Sequence, residues 1–216
     1  RKSEFVEQKS GVSARMPISV MENLISNAER RAIINDEKVI FPRITDLQTV
    51  LPGMTGKIEL VFEGEQEGTV KVSKALIGKS IRQIFKKYFP DPLLRRSKKT
   101  QDTGEANVYQ EIVRWFEQGN SIELSDEMNF KEYFKELKKV SCLEAFVKKY
   151  VKALNNDYEL ATMMEFVLDG LHQNSKIAKD ESDETVSYKD MLGSMLKEKP
   201  LQKGDRSAFD YEEEWN

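Results

Sequence analysis

The spacing of apolar positions makes most of this chain helical. Met21, Leu24, Ile25, Ala28 and Ala32 recur at helical intervals and predict a helix over 19–35, opened by Ser19-x-x-Glu22 as a capping box. Asn23, Glu29, Arg30 and Arg31 fall off that stripe and read as its other side. Residues 1–9 read as the end of an incoming helix. Residues 38–42, short, β-branched and aromatic, read as an edge or terminal strand, because Pro42 has no N–H to donate. Thr45-x-x-Gln48 is a second capping box, before a short helix that stops at Leu51-Pro52-Gly53. Ile58, Leu60 and Phe62 alternate with Lys57, Glu59 and Val61, which predicts a strand over 56–62 and then a loop with two glycines over 63–68.

Ile77, Ile81, Ile84, Phe85 and Tyr88 mark a helix over 69–89 that Pro90-Asp91-Pro92 ends. Residues 93–104 carry no periodicity and read as a linker. Four amphipathic helices follow. Their stripes are Val108, Ile112, Trp115, Phe116; then Phe130, Tyr133, Phe134, Leu137; then Leu143, Phe146, Val147, Tyr150, Val151, Leu154. The last opens at Asp157 and carries Leu160, Met163, Met164, Val167, Leu168 and Leu171. Short connections between them predict a bundle whose aromatic and methionine stripes are its core. Beyond Asp180, Tyr188, Met191, Leu192 and Met195 predict one short amphipathic helix, and 197–216 reads as a mobile acidic tail. The expected class is mainly α with a small β-hairpin or short strands.

Composition narrows the setting. The 216 residues are 39% hydrophobic and 33% charged, which suits a globular protein with a sizeable core. No apolar run is long enough for a transmembrane helix. A single cysteine forms no internal disulfide and favours a reducing compartment, the cytoplasm. The start lacks an initiator methionine, which points to a fragment of a longer chain. The net charge of −3 hides an asymmetry. Residues 71–99 hold ten basic side chains against Asp91 alone, whereas from Asp180 onward eleven acids face five bases. Such segments bind outside partners or each other, and the acidic end is expected to fold back over the basic segment.

Candidate chemistry is sparse. Arg15 lies in a glycine-containing loop just ahead of the first helix, where unpaired N–H groups attract anions and a guanidinium fork suits phosphate oxygens. Gly78-Lys79-Ser80 lacks the glycine that a P-loop needs five positions earlier, where Ser73 stands, and it falls inside a helix. No Walker-B acid is visible either, so this segment alone is not expected to hydrolyse ATP. His172, the single histidine, leaves no Cys/His metal site and reads as structural. Cys142 reads as a buried thiol. Glu63, Glu65 and Glu67 lack EF-hand spacing and read as a solvated hairpin tip.

The stretch Glu4-Phe5-Val6-Glu7-Gln8-Lys9-Ser10-Gly11-Val12-Ser13-Ala14-Arg15, followed by Asn27-Ala28-Glu29-Arg30-Arg31-Ala32, resembles the lid region of magnesium-chelatase-subunit-I-like AAA+ ATPases, ring-forming enzymes of the chelatase/MoxR group. The similarity runs on through Arg43-Ile44-Thr45-Asp46-Leu47, Gly56-Lys57-Ile58-Glu59-Leu60, Glu63-Gly64-Glu65-Gln66-Glu67-Gly68 and Glu165-Phe166-Val167-Leu168-Asp169-Gly170-Leu171. The resemblance implies that Arg15 is the sensor-2 arginine, reaching the terminal phosphate of ATP held with Mg by a domain upstream of Arg1. The chain is expected to divide into the end of the lid and a connecting helix (1–56), short strands, basic helix and linker (57–104), a C-terminal helical bundle (105–180) and an acidic, partly disordered tail (181–216).

In that family a homo-oligomeric ring uses ATP hydrolysis to remodel or metal-load a partner, often a protein with a von Willebrand A domain. The long helical part after the lid departs from the pigment-synthesis subunit and points to another client. The alternative from residues alone is a helical module that binds nucleic acid or another polyanion through 71–99, although no aromatic–basic RNA-binding pattern is present. A plain helical oligomerisation adaptor is the third reading.

Overall fold

The computed structural model describes residues 3–93, 109–182 and 185–191. Helices dominate it, with one small antiparallel sheet. Helix α1 (Met16–Ile34) is followed by a 3-10 turn (Thr45–Gln48) and three helices, α2 (Leu51–Met54), α3 (Phe62–Glu67) and α4 (Thr69–Tyr88). Then come α5 (Gln110–Glu117), strand β1 (Ile122–Ser125), α6 (Phe130–Lys138), α7 (Leu143–Tyr150), α8 (Asp157–Gln173), β2 (Ala178–Glu181) and β3 (Thr185–Lys189).

The main core joins α4–α8 to the sheet. Phe85 of α4, Leu137 of α6, Val147 of α7 and Met164, Leu168 and Leu171 of α8 are fully enclosed, as are Tyr133 and Tyr188. The sheet order is β1-β3-β2, and the register Ile122↔Tyr188 and Leu124↔Val186 stacks buried side chains on one face. A smaller cluster of Val6, Val50, Met54, Ile58 and Val72 packs α2 and α4 under α1.

Several expectations are corrected. Helix α1 begins a turn before Ser19, because Pro17 already has helical φ and the Ser19 N–H bonds to the Arg15 carbonyl, so the Ser19/Glu22 capping box does not form. The second box is absent too; Thr45–Gln48 is a 3-10 turn without a side-chain cap. Residues 3–9 form turns instead of the end of a helix. Residues 38–42 form no strand: the Phe41 carbonyl accepts from Arg31 and that of Pro42 from Thr162. The 56–62 strand is reduced to two isolated bridges, Val12↔Ile58 and Val6↔Leu60, and the glutamate loop after it is helix α3. Helix α8 is capped by Asn156, whose side chain accepts from the Glu159 N–H, one residue before the expected Asp157.

Helix α7 stops at Tyr150, while Val151 and Leu154 still pack on the core from an extended segment. Strand β1 was not expected. Tyr188 lies in the central strand, not in an amphipathic helix, and 180/181 falls inside β2. The linker from 94 to 104, Val108, the partners Leu192 and Met195, and the tail at 197–216 lie outside the described residues.

Gly170 lets α8 lie directly against the Phe85 ring; an added Cβ would fall inside that ring's van der Waals envelope. Gly170→Ala is expected to lower stability by about 1–3 kcal/mol through overpacking, read as a lower urea midpoint at unchanged m-value.

Candidate functional site

Arg15 is positioned from both sides. Residues 5–13 run beside 57–61, with Glu7 N–H on Glu59 O (3.0 Å), Glu59 N–H on Gly11 O (2.9 Å), Ser13 N–H on Lys57 O (3.0 Å) and Val61 N–H on Phe5 O (3.2 Å). Gly11 is needed at the tight point, since any Cβ there would strike the Glu7 carbonyl. Ser10 Oγ donates to the Glu59 carboxylate. This brace ends at Ser13, whose hydroxyl accepts from the Arg15 N–H (3.2 Å) and whose carbonyl accepts from the Met16 N–H (3.1 Å).

Arg15 is therefore the N-cap residue of α1, and it is exposed. Its guanidinium makes no hydrogen bond or ion pair among the described residues. The helix terminus itself offers little to an anion. Ser13 occupies two of the early donors and Pro17 has none, leaving the Ile18 N–H among the described first-turn donors. The anion preference expected of this end thus rests on the side chain rather than on the helix.

The face of α1 that continues from Arg15 is apolar and open. Ile18, Met21 and Ile25 are 60%, 57% and 44% exposed, at spacings of three and four residues. Met21 and Ile25 were expected on the core side with Leu24, Ala28 and Ala32; only the last two are buried, and Leu24 is half-buried. The inner face combines Val20, Leu24, Ala28 and Ala32 with two polar residues, Asn27 and Arg31.

Arg31, read from the sequence as lying off the apolar stripe, anchors a buried network. Its Nη1 donates to Asp46 Oδ1 (2.6 Å) and its Nη2 to Asp46 Oδ2 (3.0 Å), a bidentate pair with side chains 1% and 0% exposed. Asp46 also accepts from Asn27 Nδ2 (2.8 Å) and the Arg43 N–H (2.7 Å). Asp126, just past β1, accepts from Arg31 (3.1 Å), Asn27 (3.0 Å) and Arg30.

Arg43 lies 4.1 Å above the Tyr133 ring and donates to the Ser125 and Met128 carbonyls. Glu165 of α8 accepts from Tyr133 Oη (2.7 Å) and the N–H groups of Ile44 (2.8 Å) and Thr45 (3.0 Å). Burial pushes the Glu165 carboxyl up and the Arg43 guanidinium down, the latter with help from Arg31. Burial also works against the charge on Arg31, but Asp46 and Asp126 more than offset it, and its pKa is raised. Three stretches quoted for the family resemblance, those around Arg31, Asp46 and Glu165, meet here.

The other candidates resolve simply. Gly78-Lys79-Ser80 sits within α4, with Gly78 against the Gln173 side chain and Ser80 Oγ on the Leu76 carbonyl, so no loop cradles a phosphate there. Of the 71–99 cations, Lys71, Lys74 and Lys86 pair with Glu67, Glu181 and Asp91, and Arg82 donates to the Gln173 carbonyl. Lys79, Arg82 and Lys86 line one groove; Arg95, Arg96, Lys98 and Lys99 lie outside the described residues.

Cys142 is exposed at φ +62°, not buried, because it occupies the left-handed turn that opens α7. His172 Nδ1 lies 3.3 Å from the Ile177 carbonyl. No acidic, histidine or cysteine cluster suited to a metal ion occurs among the described residues, and no described helix is long and apolar enough to cross a membrane. Lys179 bridges Asp169 (2.7 Å) and Glu181 (3.0 Å), and Lys74 reaches Glu181 from α4 (2.8 Å).

No family model, curated protein or solved structure matches the chain.

Arg31→Ala strands the Asp46 charge and is expected to cost about 3–5 kcal/mol of stability. Arg15→Ala is expected to change it by less than about 0.5 kcal/mol; chemical denaturation of the two variants separates an anchoring arginine from an outward one. Acid should also expose the Glu181 contacts. Although burial opposes its charge, Lys179 and Lys74 pull the Glu181 carboxyl down to about 2 from the ordinary 4.5. The folded value is depressed, so this contribution is present above the ordinary value and lost as the pH falls from there toward 2. Glu181→Gln should flatten the decline of the denaturation midpoint across that range.

Proposed function

We propose that this chain is the lid and C-terminal part of a ring-forming AAA+ ATPase similar to magnesium chelatase subunit I. The observation that carries the reading is Arg15: an exposed guanidinium without a partner among the described residues, at the head of the open apolar Ile18–Met21–Ile25 face. An arginine so placed suits a ligand held by another body, and an apolar strip beside it suits contact with that body. The described residues offer no phosphate cradle, so ATP and Mg would be held elsewhere in the parent protein, with Arg15 reaching the terminal phosphate. Its fork would offset charge that develops on the γ-phosphoryl oxygens during transfer.

Helix α1 is pinned to the C-terminal core through Arg31, Asp46 and Asp126. In this reading a change of nucleotide state tilts α1 and carries the core with it, which supplies the stroke that remodels or metal-loads a client. A homo-oligomeric ring and a von Willebrand A domain partner belong to the same proposal. A second reading, polyanion binding by α4, is favoured by the groove that Lys79, Arg82 and Lys86 share. It is weakened by the ion pairs of Lys71, Lys74 and Lys86.

In the full-length protein, Arg15→Ala should lower ATP turnover on the order of a hundredfold and change nucleotide affinity far less. Steady-state hydrolysis alongside equilibrium binding of a nucleotide analogue checks this, and wild-type turnover in the variant refutes the assignment.

A further inference from the structure

Along one side of α4, where residues 3–5 and Leu93 come up to the helix, runs a groove of about 690 Å³. Its cations are Lys79, Arg82 and Lys86, three and four residues apart on one face of α4, and all three are exposed. Phe5 and Leu76, half-buried, and Leu93, 57% exposed, supply an apolar floor. Asp91 pairs with Lys86, and Glu4 also lines the groove, which leaves it net positive. Arg82 gives one N–H to the Gln173 carbonyl (3.2 Å), a bond that does not cancel its charge.

An occupant suited to this surface carries acids among bulky apolar side chains. The chain contains such a stretch. Residues 209–215, outside the described residues, read Phe209-Asp210-Tyr211-Glu212-Glu213-Glu214-Trp215, with three aromatics, four acids and no base. Aromatic side chains are effective anchors, and complementary charge around them fixes register. Opposite charge alone leaves the whole of 71–99 as a target. The structure narrows it, because Lys71 and Lys74 already pair with Glu67 and Glu181, whereas Lys79, Arg82 and Lys86 stand over an apolar floor.

The chain also leaves the sheet close to this groove. Lys189 of β3 pairs with Ala178 of β2, and Ala178 lies four residues after Asn174, which lines the groove. Four residues span at most about 14 Å and paired strands lie about 5 Å apart, so Lys189 is within about 20 Å of Asn174. Phe209 follows 20 residues after Lys189, a tether that can extend over about 60 Å. A tether of that length holds its end at millimolar effective concentration, so a modest contact is enough to keep the groove occupied.

We propose that residues 209–215 dock in this groove of the same chain, with the aromatic rings on the Phe5–Leu76–Leu93 floor and the acids toward Lys79, Arg82 and Lys86. The chain's own acidic end then covers the basic face, and an outside polyanion has to displace it. The inference builds on the α4 reading by giving its groove an internal occupant, and it is independent of the ATPase reading.

A nitroxide attached at Glu213→Cys in the full chain, with Cys142→Ser removing the exposed native thiol, tests the docking by NMR. The amide signals of Leu76, Lys79, Arg82 and Gln83 should broaden at low ionic strength and broaden less at about 0.5 M salt. Arg82→Glu should lower the docking equilibrium constant about tenfold. Phe209→Ala combined with Trp215→Ala should lower it at least as much while leaving every described residue in place. The proposal is overturned by unbroadened α4 amides, by equal broadening over the whole surface, or by docking that neither variant weakens. Equal broadening of a 15N-labelled chain by a separate spin-labelled chain overturns it as well, since the contact is then between copies. Because the broadening reads docking itself, its absence leaves polyanion binding by α4 standing.

Discussion

The fold turns on the buried bidentate pair between Arg31 and Asp46. Taking both charges out of water costs several kcal/mol per ion, and only near-complete hydrogen bonding returns it. Asp46 meets that demand with donors from Arg31, Asn27 and the Arg43 backbone. A slip of α1 along its axis by even one residue would leave a buried ion unpaired. The pair thus favours one placement of α1 over its neighbours. It fixes where α1 lies, and through α1 it fixes where Arg15 emerges.

The same pair puts polar groups on the buried side of an amphipathic helix. Asn27 and Arg31 share the inner face of α1 with Val20, Leu24, Ala28 and Ala32, while Ile18, Met21 and Ile25 are exposed on the outer one. Periodicity alone reports that two faces differ; it does not report which is inside. The ion pair that α1 buries draws on remote residues: Asp46 lies 15 positions away and Asp126 lies 95. A single sequence gives no sign of such partnerships, which is why Arg31 read as a side chain off the apolar stripe.

What could be read in the sequence follows the range of the interaction concerned. Helix α4 was legible because Gly68 and Pro90 punctuate it and its stripe of Ile81 and Phe85 is long. Helices α5, α6 and α8 were legible for the same reason. Arg15 was also legible as a residue, since both its loop and the helix after it are local features; that its partner donors are consumed by Ser13 was not. Strand β3 was hidden because Val186 and Tyr188 alternate over only five residues, in an acidic stretch, and its neighbour β1 lies some sixty residues earlier. The capping boxes at Ser19 and Thr45 do not form, because Pro17 and the Asp46 network set the backbone there, whereas Asn129 and Glu132 do form one.

One short turn joins two polar features of the molecule. In the 3-10 segment, Asp46 points into the Arg31 network, and Gln48 two residues on borders a cleft that Asp169 also lines. Just before them, the Ile44 and Thr45 N–H groups are held by Glu165, which sits one helical turn from Asp169 on α8. A turn this tight has little freedom to let Gln48 move without Asp46 moving as well. The turn that carries Asp46 into the Arg31 network therefore also sets where Gln48 stands. Both features pass through a single four-residue segment, Thr45–Gln48.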